Sequence, residues 1–241
     1  MGGPRYAVYW APPPGSDLAA FGNRWLGRDA ETGHAPASLV ADLPPDWETA
    51  TADARIYGFH ATLKPPFRLR EGVRREEVSH ALHGLAAKLS PVPRIGLGLS
   101  SIDGFLALTP RDPCEELGEL ARRCVEDLDW LRAPADGSEL ARRRAVGLTP
   151  RQDALLIRWG YPYVMEEFRF HLTLTGRLSG RSLEQFAAIL GPHAEAVCAM
   201  PQDIDSLCLF EQSAPGAPFN VQLRVPLGAA PPGYAMSRRS G

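Results

Sequence analysis

The chain has 241 residues, 44% of them hydrophobic and 22% charged, with a formal net charge of −2. That length buries a substantial core as one large domain or two small lobes, and the near balance of charge excludes a nucleic-acid polycation. No segment is long and apolar enough to cross a bilayer, and no secretory signal is expected at the N-terminus, where a charged region followed by an apolar core is missing. In chain order, residues 5–10 alternate as a strand that Pro12-Pro13-Pro14-Gly15 ends. Ser16 then caps an amphipathic helix carrying Leu18, Phe21, Trp25 and Leu26. Residues 27–45 read as loop with a helical turn around 38–43, and residues 53–63 as a strand stopped by Pro65-Pro66. Val78, Leu82, Leu85, Ala86 and Leu89 predict a helix over 74–89, on whose polar side His80 and His83 are solvated. A hairpin follows, 95–99 and 105–109, with the turn Ser101-Ile102-Asp103-Gly104 between them and Asp-Gly as its signal.

Leu117, Leu120, Cys124, Val125, Leu128 and Leu131 predict a helix over 113–131 whose charges form a solvated face. Arg142-Arg143-Arg144, the only basic run, reads first as solvated surface within 133–147, with phosphate binding as the alternative. Thr149-Pro150-Arg151-Gln152 opens a helix with a capping box and an early proline. Residues 168–175 alternate as a second strand. Ser182-Leu183-Glu184-Gln185 is a further capping box, opening a helix with Phe186, Ala187 and Leu190, and strands over 204–210 and 219–225 close the series. The Pro/Gly-rich end, 229–241, is expected to be disordered. The four cysteines show no Cys-x-x-Cys spacing; Cys124 and Cys208 read as small core residues, and a reducing, cytoplasmic compartment is the expectation.

One pattern occurs twice. His60-Ala61-Thr62-Leu63 and His171-Leu172-Thr173-Leu174 each lie in an alternating run. Strand parity puts His60, Thr62 and Lys64 on one face, and Arg169, His171, Thr173 and Thr175 on another, with Phe59, Ala61, Leu63 and Phe168, Phe170, Leu172, Leu174 packing behind them. A single such histidine is as readily a hydrogen-bonded or surface side chain. Two copies, each with a threonine two residues on and a cation nearby, point to a shared purpose.

Strands and helices fall into two comparable halves, each with one motif. The expected fold is α+β and bilobal: a single domain, with lobes near 1–110 and 111–228, in which two antiparallel sheets face a central groove with helices outside. A pseudo-two-fold axis would set the histidines on opposite sides of that groove. Imidazole titrates near neutrality, so one neutral histidine can take a proton from water while one imidazolium protonates a departing oxygen. Each threonine can donate to a phosphoryl oxygen, and Lys64 and Arg169 can reach a substrate phosphate. This scheme needs no metal and no cofactor. A metal site built on His60 and His171 is disfavoured, since no carboxylate or thiolate sits at ligand spacing.

The two motifs resemble those of the two-histidine (2H) phosphoesterases. The longer stretches Arg5-Tyr6-Ala7-Val8-Tyr9-Trp10-Ala11-Pro12, Tyr57-Gly58-Phe59-His60-Ala61-Thr62-Leu63-Lys64-Pro65-Pro66-Phe67 and Glu167-Phe168-Arg169-Phe170-His171-Leu172-Thr173-Leu174-Thr175-Gly176 resemble its branch of bacterial phosphonate-utilisation-associated proteins. The resemblance implies a metal-independent hydrolase, a cyclic phosphodiesterase acting on a small-molecule cyclic phosphate, with His60 and His171 as acid and base and Thr62 and Thr173 as phosphate ligands. In that branch the substrate is expected to be a ribose cyclic phosphate of phosphonate catabolism. An RNA 2′,3′-cyclic phosphodiesterase or end-processing enzyme is the alternative, and a non-catalytic nucleotide or sugar-phosphate binding module the alternative of another class. Neither a membrane nor an obligate protein partner is expected.

Overall fold

The computed structural model describes residues 3–229, so most of the expected disordered tail, from residue 230, lies outside the described residues. The elements run β1 (Arg5–Trp10), α1 (Asp17–Leu26), α2 (Trp47–Tyr57), β2 (Ala61–Phe67), α3 (Arg75–Ala86), β3 (Val92–Ile95), β4 (Leu97–Ile102), β5 (Phe105–Pro110), α4 (Glu115–Asp127), α5 (Gly137–Arg144), α6 (Pro150–Trp159), β6 (Leu172–Thr173), α7 (Gly180–Val197), β7 (Gln202–Ile204), β8 (Ser206–Gln212) and β9 (Phe219–Pro226). The α+β class is as expected.

The expectation of one sheet per lobe is corrected. Seven strands form a single antiparallel sheet in the order β4-β5-β6-β2-β1-β8-β9, with a separate β3-β7 pair. The two motif strands are neighbours in it, joined at one register position, Ala61 opposite Leu172. The seam is narrow because β6 is only two residues long, although alternation predicted a strand throughout 168–175.

Helices α1, α3, α4 and α7 cover one face of the sheet, packing Leu18, Trp25, Leu82, Leu120, Phe186 and Leu190 against Val8, Trp10, Ala61, Leu63, Leu172 and Leu209. On the opposite face Ala7, Tyr9, Cys208, Phe210 and Phe219 form a smaller aromatic cluster, with Ile56 and Tyr57 of α2 against it. The hairpin turns at Asp103 and Gly104, both at positive φ (48° and 89°), the type I′ geometry its sequence favours.

Several boundaries differ from the sequence reading. Residues 53–57 end a helix rather than begin a strand, because Ala50, Thr51 and Ala54 bury one helical stripe. Strand β2 runs through Pro65-Pro66 to Phe67. Beyond Ala61 no pairing with β6 needs donors there, and the β1 register is irregular between Thr62 and Phe67, so the prolines forfeit little. The turn expected around 38–43 is irregular chain. Helix α7 starts at Gly180, two residues ahead of the expected cap. Residues 140–144, left open by the sequence, end a short helix capped by Asp136.

Candidate active site

The short β2–β6 seam assembles the site. With Ala61 opposite Leu172 in an antiparallel pair, the next residues on either side set Thr62 opposite His171 and His60 opposite Thr173, and opposed side chains share a face. Ala61 and Leu172 are buried on the helix-covered face, so both histidines and both threonines of the motifs emerge on the other. Remote contacts hold this seam: the Trp25 indole donates to the Leu174 carbonyl at 2.8 Å, and the Gly176 amide to Ala50 at 2.6 Å.

The two imidazoles are oriented by the same device. His60 Nδ1 lies 2.9 Å from the Gly58 carbonyl, and His171 Nδ1 2.7 Å from the Arg169 carbonyl, in each case two residues back. A carbonyl only accepts, so Nδ1 carries the hydrogen and the neutral ring keeps its lone pair on Nε2. His60 Nε2 lies 3.2 Å from Thr62 Oγ1, whose hydroxyl can donate to it. Gly58 presents its carbonyl from φ 78°, ψ 177°, a conformation only glycine tolerates, and a Cβ there would stand 2.6 Å from Ala30 Cβ.

Surroundings separate the two rings. Tyr9 stacks on His60 at 3.7 Å between centroids, with Tyr57 and Phe210 close by. Burial pushes His60 down to about 4, against which the Gly58 hydrogen bond works, and a charge on His171 lowers it further. That influence marks His171 as an electrostatic neighbour of His60. Burial also lowers His171, opposed by its bond to Arg169 O, while the Arg169 charge lowers it again. Phe105 flanks His171 at 5.5 Å.

A cavity of about 470 Å³ opens beside this face, lined by Thr62, His171, Arg169, Arg177, Gln152, Glu167 and the rings of Phe105, Phe168, Tyr161 and Tyr163. His60 stands behind Thr62 and, like Thr173, is outside the cavity lining. Arg169 is 67% exposed and only loosely paired with Asp103, 3.8 Å away.

Lys64 is not at the site. Tyr9 pairs with Thr62 and Val8 with Lys64, so β2 carries an extra residue that resets its alternation. Lys64 therefore follows Val8 to the helix-covered face, where it is 2% exposed and its ammonium donates to the Val125 carbonyl at 3.1 Å, 3.8 Å from Asp129. Thr175 also leaves the shared face: it is fully buried and its hydroxyl accepts from the Leu106 amide at 3.0 Å.

Sequence reasoning passed over Tyr9, the cavity aromatics and Arg177. A signal for Arg177 existed, since arginines stand at both ends of the odd-numbered run 169, 171, 173, 175, 177. The cavity aromatics come from two distant stretches, Phe105 in the hairpin and Tyr161, Tyr163 and Phe168 between α6 and β6, and left none. Among the described residues, no three His, Cys, Asp or Glu side chains converge as a metal site, all four cysteines are free, and no helix is long and apolar enough to cross a membrane.

Residues 62–220 match the family described as protein of unknown function (DUF1045). The chain belongs to that family. This DUF1045 chain is also 41% identical over 228 residues to a ribose 1,5-bisphosphate phosphokinase PhnN of Janthinobacterium sp. (strain Marseille), covering 92% of this chain and 50% of the relative. The PhnN of Laribacter hongkongensis (strain HLHK9) is 38% identical over 221 residues, covering 90% and 50%. The chain thus spans about half the length of the curated relatives it matches. Among solved structures, Escherichia coli LigT complexed with 3′-AMP is 16% identical, with 94% of this chain and 99% of that one covered at a TM-score of 0.42. A conserved protein of unknown function from Agrobacterium tumefaciens is 11% identical, with 95% and 88% covered at a TM-score of 0.43.

Proposed function

We propose that the chain is a two-histidine cyclic phosphodiesterase that opens a small cyclic phosphate ester by acid/base catalysis without a metal. The observation that carries this reading is the matched pair of imidazoles, each with Nδ1 on its own chain's carbonyl, on one face of a two-strand seam. One Nε2 takes a proton from the attacking water as the new P–O bond forms. The other histidine, protonated, gives its proton to the ring oxygen as the old P–O bond breaks, so the net change is addition of one water. Thr62 in the cavity wall, and Thr173 opposite His60 on the same face, supply hydroxyl donors to the phosphoryl oxygens as charge grows there.

The favoured substrate is a ribose cyclic phosphate bearing a second phosphate, in keeping with phosphonate catabolism. Arg169 and Arg177 at the cavity rim suit a terminal phosphate. The curated relatives bear the name ribose 1,5-bisphosphate phosphokinase. Opening a 1,2-cyclic phosphate of ribose 5-phosphate at its 2-oxygen would yield ribose 1,5-bisphosphate, the compound in that name.

A second reading, action on RNA 2′,3′-cyclic ends, is favoured by Phe105, Phe168, Tyr161 and Tyr163, which offer flat faces to a base. The purified chain, in excess chelator, is to be incubated with cyclic ribose phosphates, with and without a 5-phosphate, and with cyclic-ended oligonucleotides, followed by phosphorus NMR. Turnover of the small substrates is expected; steep salt dependence on oligonucleotides alone would favour the second reading, and no turnover of any would refute both.

A further inference from the structure

A second concavity, about 290 Å³, lies beyond the catalytic cavity and shares no lining residue with it. The two are neighbours along the chain at two points, Pro65 and Tyr161 lining the first and Pro66 and Gly160 the second. Its wall carries four guanidinium groups, Arg5, Arg68, Arg132 and Arg142, against two carboxylates, Asp136 and Glu139.

Both carboxylates are engaged elsewhere. Asp136 accepts from the Glu139 amide and the Ser138 hydroxyl as the cap of α5, and Glu139 pairs with Arg143 at 2.9 Å. In the basic run, Arg144 is taken by Asp153, so Arg142 alone of the three faces the concavity, with no ion-pair partner among the described residues.

The other arginines are fixed in place by groups that leave donors over. Arg5 Nε donates to Gln212 Oε1 at 2.7 Å, and that buried amide is itself locked by donation to the Ala217 carbonyl. Arg68 Nη1 donates to the Gly3 carbonyl at 2.6 Å. Neither forms an ion pair among the described residues, although the Arg68 charge helps, after the Ser138 and Glu139 hydrogen bonds, to hold the Asp136 carboxyl below its ordinary value. Arg132 is tied to Asp129 and to the Arg158 carbonyl, in space left by Gly160, where a Cβ would lie 3.0 Å from Arg132 Nη1.

Clustered like charges in a concave wall repel one another unless an anion joins them, and planar guanidinium forks match phosphate oxygens. We propose that this concavity binds a small anion carrying two linked phosphates or a phosphate monoester, separate from the reacting phosphate. The proposal does not depend on the catalytic reading.

Inorganic pyrophosphate is the probe, titrated calorimetrically into the full chain, into His60→Ala/His171→Ala, and into Arg68→Gln/Arg142→Gln, whose two arginines are exposed. The histidine variant should keep a pyrophosphate site of wild-type affinity. The arginine variant should bind it at least tenfold more weakly, with an unchanged melting temperature and a shallower dependence on salt. No binding to the wild type, loss in the histidine variant, or wild-type affinity in the arginine variant would each overturn the proposal. Should Arg68→Gln/Arg142→Gln melt early, Arg142→Glu alone decides: that side chain is exposed, and unchanged affinity there is equally fatal.

Discussion

Tyr9 lies on His60 with ring centroids 3.7 Å apart and planes inclined by 20°, and it is itself clasped by Phe210 and Phe219. The aromatic wall keeps water from one side of the imidazole, which is why the proton is held so weakly there. Tyr9→Leu should admit water, so the His60 titration followed by NMR should move up from about 4 toward the ordinary value near 6.5. Tyr9→Phe keeps the stack and should leave it in place. An unmoved titration in Tyr9→Leu would mean that other walls set it.

The pH profile follows from both shifts. In the proposed mechanism these shifts favour His60, neutral above about 4, as the base and His171 as the acid, whose proton is lost below the ordinary value of 6.5. Activity as kcat/KM, which reports the free enzyme, should therefore rise through the low His60 value and fall before ordinary imidazole would. A bell centred on the acid side of pH 6.5 is expected. A profile still rising at pH 8 would rule out a free-enzyme imidazolium as the acid.

Replacing either histidine by alanine should lower turnover by about a hundredfold to ten-thousandfold, the usual weight of one acid or base. Thr62→Ala removes one donor and leaves proton transfer intact, so its loss should be smaller. Equal kcat in wild type and His60→Ala would end the paired-histidine mechanism.

Arg169→Ala should raise KM for a cyclic ribose phosphate carrying a 5-phosphate by tenfold or more, and leave KM for the analogue without it within about twofold. Equal weakening of both would place Arg169 at the reacting phosphate instead.

Lys64 should matter for folding. Its ammonium is buried and pushed down to about 8, mainly by burial. Between pH 8 and the unfolded value near 10.5 the unfolded chain holds more of this proton, so this group's contribution to stability rises with pH across that window. The melting-temperature difference between wild type and Lys64→Met should change over pH 8–10.5 and be flat below it, with kcat/KM for the cyclic phosphate within a few-fold of wild type. A hundredfold loss of activity would return Lys64 to the substrate.

The sequence by itself determined the α+β class, the stripes of every long helix but α2, the presence of a hairpin at Asp103-Gly104 and the repeated motif, because each is written within a few residues as a period, a cap or a turn pair. It also determined that His60 and Thr62 share a face, as do His171 and Thr173. Tertiary structure decided that both faces are one: the single pairing of Ala61 with Leu172 joins segments far apart in the chain, and no local pattern encodes a partner. The same holds for Lys64, where one extra residue opposite β1 reverses the parity that alternation alone assigns. Arg142 was legible only as one of three basic residues; which of them stays free depended on Glu139 and Asp153 claiming the other two. Periodicity fixes which side of an element a residue takes, whereas its partners depend on how elements pack, and the site's chemistry rests on those partners.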